Sequence, residues 1–163
     1  TKKIHIIGAP GSGKSFVAKK LAKELEIKHY DLDDFFWTNS DYSQRTNPNK
    51  RNSKLTDTIK KESWIIEGIY YKWTEESFAN ADVICVLKPN VLLRDWRILT
   101  RYIACKLKLI KKRSGSFESL VRLIKWNHRF DKEHLAAAEK ILKKYKSKVY
   151  QFSSVTSLKN FNL

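Results

Sequence analysis

Gly8-Ala9-Pro10-Gly11-Ser12-Gly13-Lys14-Ser15 is the stretch that decides how this chain folds. It follows Ile4, Ile6 and Ile7, an apolar run suited to a short buried strand. It precedes Val17, Leu21 and Leu25, which recur at i, i+4 and i+8 as one face of a helix over 14–26. Glycine, four residues, then Gly-Lys-Ser between a strand and a helix is the pattern of a phosphate-binding loop, or P-loop. Glycines let the backbone curl until successive N–H groups point at one anion, and the start of the helix adds its positive end. The whole run from Gly8 to Ser15 (Gly8, Ala9, Pro10, Gly11, Ser12, Gly13, Lys14 and Ser15) is therefore the expected triphosphate cradle. Lys14 would reach the β and γ phosphates, and the Ser15 hydroxyl would bind Mg²⁺.

Outward from the loop, strands are predicted over Ile27 to Leu32, Trp64 to Ile66 with Gly68 closing it, Ala81 to Leu87 before Pro89, and Val149 to Phe152. The polar segment 38–56 reads as loop with at most a short helix, and 90–146 is helical in period. Wholly apolar strands alternating with helices imply a parallel sheet covered on both faces. The expected fold is α/β, a three-layer P-loop NTPase arrangement with a parallel five-stranded sheet. At 163 residues the chain fits one domain, 1–163, in which 38–62 forms an acceptor-binding insertion and 105–132 a helical, lid-like segment.

Charge is distributed unevenly. The formal net charge is +16. Residues 1–87 hold 14 basic and 12 acidic side chains, residues 88–148 hold 18 and 5, and one lysine follows. Such an excess attracts polyanions. The longest wholly apolar run, Val83 to Leu87, is far below the ~20 residues of a membrane-spanning helix. The start of the chain reads as a strand rather than a secretion signal. Two cysteines, Cys85 and Cys105, build neither a disulfide framework nor a four-thiolate zinc site, and the four histidines lack ligand spacing. The expected protein is cytoplasmic, without a membrane partner and without zinc.

Three carboxylates, Asp31, Asp33 and Asp34, stand at the end of the second strand. Asp33 is the one expected to act, as a proton acceptor or metal ligand. Glu67 ends the third strand, where doubly wound sheets bring side chains to the ligand crevice, and is the second expected Mg²⁺ ligand beside Ser15. In the helix after the fourth strand, Leu92, Trp96, Leu99, Ile103, Leu107 and Ile110 form an apolar stripe read as the core face. Arg94, Arg97, Arg101 and Lys108 share another side. Arg97 and Arg101 are thus an expected bidentate clamp on transferring phosphate, and Arg129 a further candidate.

The P-loop, Leu32-Asp33 with Trp37, Trp64-Ile65-Ile66-Glu67-Gly68 with Tyr70, Ala81-Asp82 before a strand, and Arg97 with Arg101 together resemble the adenylate-kinase-related topology modulation (FlaR-related) proteins. The resemblance runs over nearly the whole length. It implies a nucleoside-monophosphate-kinase-like fold, with Arg97 and Arg101 at the positions of phosphate-binding arginines before the lid. Glu67 stands where that family usually has Asp, and Ile69 where it usually has Asn. The adenylate-kinase pattern Asp-Gly-Phe-Pro-Arg after strand three and a zinc-type lid are absent, and Asp31-x-Asp33 resembles the shikimate kinases. The expected activity is transfer of the γ-phosphoryl group of ATP, with Mg²⁺, to a small acceptor, either a nucleotide or a metabolite. A nucleotide-regulated nucleic-acid-binding protein is the second reading, from the basic segment after residue 88.

Overall fold

A computed structural model describes residues 2–39, 42–110 and 115–159. Five parallel strands form one sheet in the order β2-β3-β1-β4-β5. They are β1 (Lys3–Gly8), β2 (His29–Asp31), β3 (Trp64–Gly68), β4 (Val83–Leu87) and β5 (Val149–Phe152). The helices are α1 (Lys14–Leu25), the one-turn α2 (Asp33–Phe36), α3 (Pro48–Ile59), α4 (Glu75–Asn80), α5 (Val91–Lys106), α6 (Phe117–Phe130), α7 (Ala136–Leu142) and α8 (Val155–Lys159). A π turn, Asp131–Leu135, joins α6 to α7.

Side chains alternate across a strand, and here both faces are apolar. Ile4 and Ile6 pack with Ile65, Cys85 and Leu87 under α1 and α8. Ile7, Ile66, Ile84 and Val86 pack on the other face under α3, α4, α6 and α7. The result is the three-layer α/β architecture expected. The connection leaving β1 runs toward the β2 edge and that leaving β4 toward the β5 edge, so the strand order reverses between β1 and β4. Open α/β sheets hold ligands at such a reversal, outside the carboxyl ends of the strands. The glycine-rich loop 8–15 lies there.

Two local expectations are corrected. The segment 38–56 holds more than a short helix: α3 starts at Pro48 and runs 12 residues to Ile59, with the Asn47 side chain accepting from the Asn49 N–H at 2.9 Å. Asn47-Pro48, within the stretch expected to be loop, is a helix N-cap followed by proline at the first helical position, where its missing N–H costs nothing. The second correction is larger. The apolar stripe of α5 does not face the core. Leu92 is 69% exposed and Trp96 63%, whereas Arg94 is 1% exposed and Ile98 lies beside it in the interior.

What turns α5 this way is a set of polar partners on the next helices. Arg94 makes two parallel hydrogen bonds to Asp131, both 2.9 Å. Asp95 accepts from the Asn127 side-chain amide at 2.7 Å and meets His128 Nε2 at 2.6 Å. Asn127 is fully buried. Of the apolar residues of α5, only Ile98 is fully buried. Trp126 packs edge-on against Phe130 and donates to His134 Nε2 at 2.7 Å.

Breaking one side of a buried ion pair strands the other charge. Asp131→Ala is therefore expected to lower unfolding free energy by about 3 kcal/mol, read from urea titration. Arg94→Met combined with Asp131→Met, which leaves no unpaired charge, should recover most of that loss.

Candidate functional site

The glycine-rich loop is held by α5. Gly11 has φ +73°, and a Cβ there would lie 2.5 Å from the Arg94 carbonyl oxygen. Gly13 has φ +94° and forms the N-cap of α1 with no side-chain cap, so the first-turn amides of α1 are open to an external acceptor. Arg97 donates from one guanidinium nitrogen to the carbonyls of Gly11 (3.2 Å) and Ser12 (3.1 Å). The Ser12 N–H donates to the Ala9 carbonyl at 3.2 Å, and the N–H groups that follow it at the start of α1 face an anion site. Pro10 and Ala9 are buried, as is Ser12, whose hydroxyl has no hydrogen-bond partner. Lys14 and Ser15 are half-buried at the start of α1.

Next to them the third strand delivers Glu67, 1% exposed. Neither of its carboxylate oxygens has a hydrogen-bond partner. His29 Nε2 stands 3.7 Å from Oε1, an electrostatic contact too long for a hydrogen bond. Burial works to raise the Glu67 pKa, but the His29 imidazole, the Lys14 ammonium and the Ser15 hydroxyl outweigh it and hold the carboxyl below its usual range. Asp31, opposite Glu67 in the β2–β3 register, goes the other way. Burial first, then the Glu67 and Asp33 charges, push it up to about 6. Of the two neighbouring carboxyls, Asp31 is the first to take a proton as pH falls and Glu67 keeps its charge longer. An ionised, buried, unpartnered carboxylate beside a serine hydroxyl is donor chemistry that fits Mg²⁺, which takes one or two carboxylates and completes its shell with water and phosphate. Among the described residues no group of three or more His, Cys, Asp or Glu gathers that could hold an ion unaided.

On the far side of Asp31 lies a second cluster. Asp33, whose N–H donates to Asp31 Oδ1 at 2.8 Å, accepts the Tyr70 hydroxyl at 2.8 Å. Burial, then the Asp33 charge, push the Tyr70 pKa up, so the phenol stays a donor. The Phe36 ring stacks on Tyr70 (4.8 Å between centroids) and reaches Trp37 and Trp73. Arg51 from α3 lies 4.4 Å over Trp73, and Arg45 lies over Phe36 and Trp37. Rings and cations thus come together from α2, from the 42–45 turn, from α3 and from the loop after β3.

The structure therefore brings together the loop 8–15, Glu67 and Arg97, while Asp33 lies beyond Asp31 with Tyr70. It does not join the remaining arginines to them. Arg101 and Arg129 are exposed and make no hydrogen bond or ion pair to the loop among the described residues. The expected Arg97–Arg101 clamp is only half present, since Arg97 is bound to loop carbonyls. Part of the lid-like segment, 111–114, lies outside the described residues, as do 40 and 41 of the insertion. Sequence reasoning had set aside His29, weighed Asp31 only as one of three acids, and passed over Arg51 and Trp73. Aromatic pairs on both sides of two arginines, at 36–37 with 45 and at 70–73 with 51, were the available signal. Cys85 behaves as core, its thiol pushed up to about 12 by burial, and His5 is held to about 3 by burial against Phe78. No helix of the described residues is long and apolar enough to cross a membrane.

No family model matches the chain. A curated relative, the uncharacterized protein YqaC of Bacillus subtilis (strain 168), is 31% identical over 86 residues, 53% of this chain. The matched stretch spans 48%, about half, of that relative's length. An uncharacterized protein from Eubacterium ventriosum ATCC 27560 has a similar solved structure, with TM-score 0.55 at 16% identity, covering 97% of this chain and 93% of the other. That likeness supports the α/β fold with its parallel sheet.

Two outcomes follow for the isolated chain. Gly11→Ala meets the backbone of Arg94 and a left-handed φ, and should cost about 2 kcal/mol or more, measured by thermal melting. Asp31 has a folded pKa above its unfolded value, so its contribution to stability is full below about pH 4 and is lost as pH rises through about 6. Asp31→Asn, melted without divalent metal, should gain on the native protein between pH 4 and 7 and match it at pH 4.

Proposed function

We propose that the protein is an ATP-dependent phosphotransferase of P-loop type, acting on a small acceptor that bears a hydroxyl or phosphate group. The observation that carries this is the pairing of an uncapped helix start behind Gly8–Ser15 with the buried, charged Glu67, which lacks a hydrogen bond of its own and stands beside His29, Lys14 and Ser15. The resemblance to adenylate-kinase-related topology modulation proteins points the same way.

In this reading the loop amides and Lys14 hold the β and γ phosphates and neutralise charge that builds on them. Ser15 and Glu67 would hold Mg²⁺, which supplies electrostatic stabilisation to the phosphate oxygens. Arg97 keeps the loop in its binding shape. Asp33 takes the proton from the acceptor oxygen as that oxygen bonds to the γ phosphorus and the bond from phosphorus to the β–γ bridging oxygen breaks, releasing ADP. Tyr70 orients Asp33 through the 2.8 Å hydrogen bond. The 38–62 insertion, through Arg51, Arg45 and the rings of Phe36 and Trp73, receives the acceptor. The basic 105–132 segment, with Arg101 and Arg129, closes over the nucleotide and excludes water, which would otherwise compete as acceptor.

Transfer from γ-labelled ATP, screened over nucleotides and small metabolites, tests the reaction. Lys14→Ala and Glu67→Gln are each expected to lower turnover by roughly a hundredfold or more, with Glu67→Gln also weakening the dependence on Mg²⁺. Arg101→Ala should lower it less than Lys14→Ala. Unchanged turnover in both Lys14→Ala and Glu67→Gln would overturn the assignment.

A further inference from the structure

The outward face of α5 has no partner in the fold. Leu92, Trp96, Leu99, Ile103 and Leu107 succeed one another at helical spacing on the side away from Arg94 and Ile98, and all are exposed. Leu109 (72%) and Phe117 (69%), past the end of the helix, are exposed as well. Isolated exposed leucines are ordinary, but a contiguous stripe of this kind marks an interaction surface.

Its charge setting is one-sided. From Trp96 to Ile110 the chain has four Lys or Arg and no Asp or Glu. The acid just before this stretch, Asp95, is engaged by Asn127 and His128. Lys106 lies over the Tyr102 ring, and Lys106 and Lys108 are exposed near the end of the stripe. We propose that this face docks on an anionic lipid surface, with α5 lying in the plane of the interface.

Three considerations select that occupant. A second copy of the chain would bring two such basic stretches together, and like charges facing each other oppose the contact. A nucleic acid would use the cations but leave Leu92, Leu99, Ile103 and Leu107 in water, because phosphate contacts and base stacking call on charges and rings. A lipid interface uses both. Aliphatic and tryptophan side chains enter the acyl boundary while lysine and arginine meet the headgroups. With 16 residues α5 is roughly 24 Å long, too short and too charged to cross, but ample to lie flat. The sequence expectation of no membrane partner rests on the lack of a run long enough to cross a bilayer, and a helix lying flat needs none.

Flotation with phosphatidylcholine vesicles, with and without phosphatidylglycerol, tests the proposal. The native chain should float with the anionic vesicles and not with neutral ones, and raising salt should release it. Leu92→Glu with Leu107→Glu, both at exposed positions, should weaken binding at least about tenfold with an unchanged melting curve. Lys106→Gln with Lys108→Gln should weaken it several-fold by removing charge alone. Equal binding to both vesicle types, or none to either, overturns the proposal. So does a stable dimer that Leu92→Glu with Leu107→Glu dissociates, which gives the face to a second copy. Duplex DNA binding lost in the same variant, with no flotation, gives it to nucleic acid. The phosphotransferase reading is tested separately, by Lys14→Ala and Glu67→Gln, so its failure and the failure of flotation are distinguishable.

Discussion

The first turn and a half of α5 presses on the glycine-rich loop, and the rest of the molecule is arranged around that contact. The Arg94 carbonyl occupies the space that a side chain at residue 11 would need, and Arg97 ties down the Gly11 and Ser12 carbonyls. A loop of glycines has many conformations in isolation. Here its shape is set from outside, by a helix that enters from the neighbouring strand β4. The sheet order makes that possible, since β1 and β4 are hydrogen-bonded neighbours and their carboxyl ends open at the same place.

Holding α5 in that position needs a grip on its other side, and the grip is polar. Arg94 with Asp131, and Asp95 with Asn127 and His128, fasten α5 to α6 and the π turn. A π turn resets the helical phase between α6 and α7, which allows Asp131 to reach Arg94 while Leu135 and Ala138 still face the sheet. The consequence is that α5 has spent its inward face on charged and amide groups. Its apolar residues are left outside, where a partner must be sought if they are to be covered.

Much of the fold was legible because it rests on short-range signals. Three isoleucines before a glycine, a second apolar run closed by Gly68, and a third closed by Pro89 are strands on any reading, and all three pair with β1 or form it. The parallel sheet covered on both faces followed from their lack of alternation. Glu67 was legible for the same reason, as the one carboxylate at the end of an apolar strand. The orientation of α5 was not. Its apolar and basic stripes have the same helical period, and the choice between them is made by Asp131 and Asn127, more than thirty residues on. Nor was α3, because Asn47-Pro48 begins helices as readily as it makes turns. Arg51 and Trp73 meet only through tertiary folding.

At the centre of the account is one claim, that the amides of residues 8–15 and the Lys14 ammonium capture the phosphates of a nucleotide. Isothermal titration of the folded chain with Mg·ATP, set against adenosine, tests it most directly. The account predicts saturable heat from the triphosphate that falls away for adenosine and for the Lys14→Ala chain. Absence of heat from any purine triphosphate or diphosphate would contradict it.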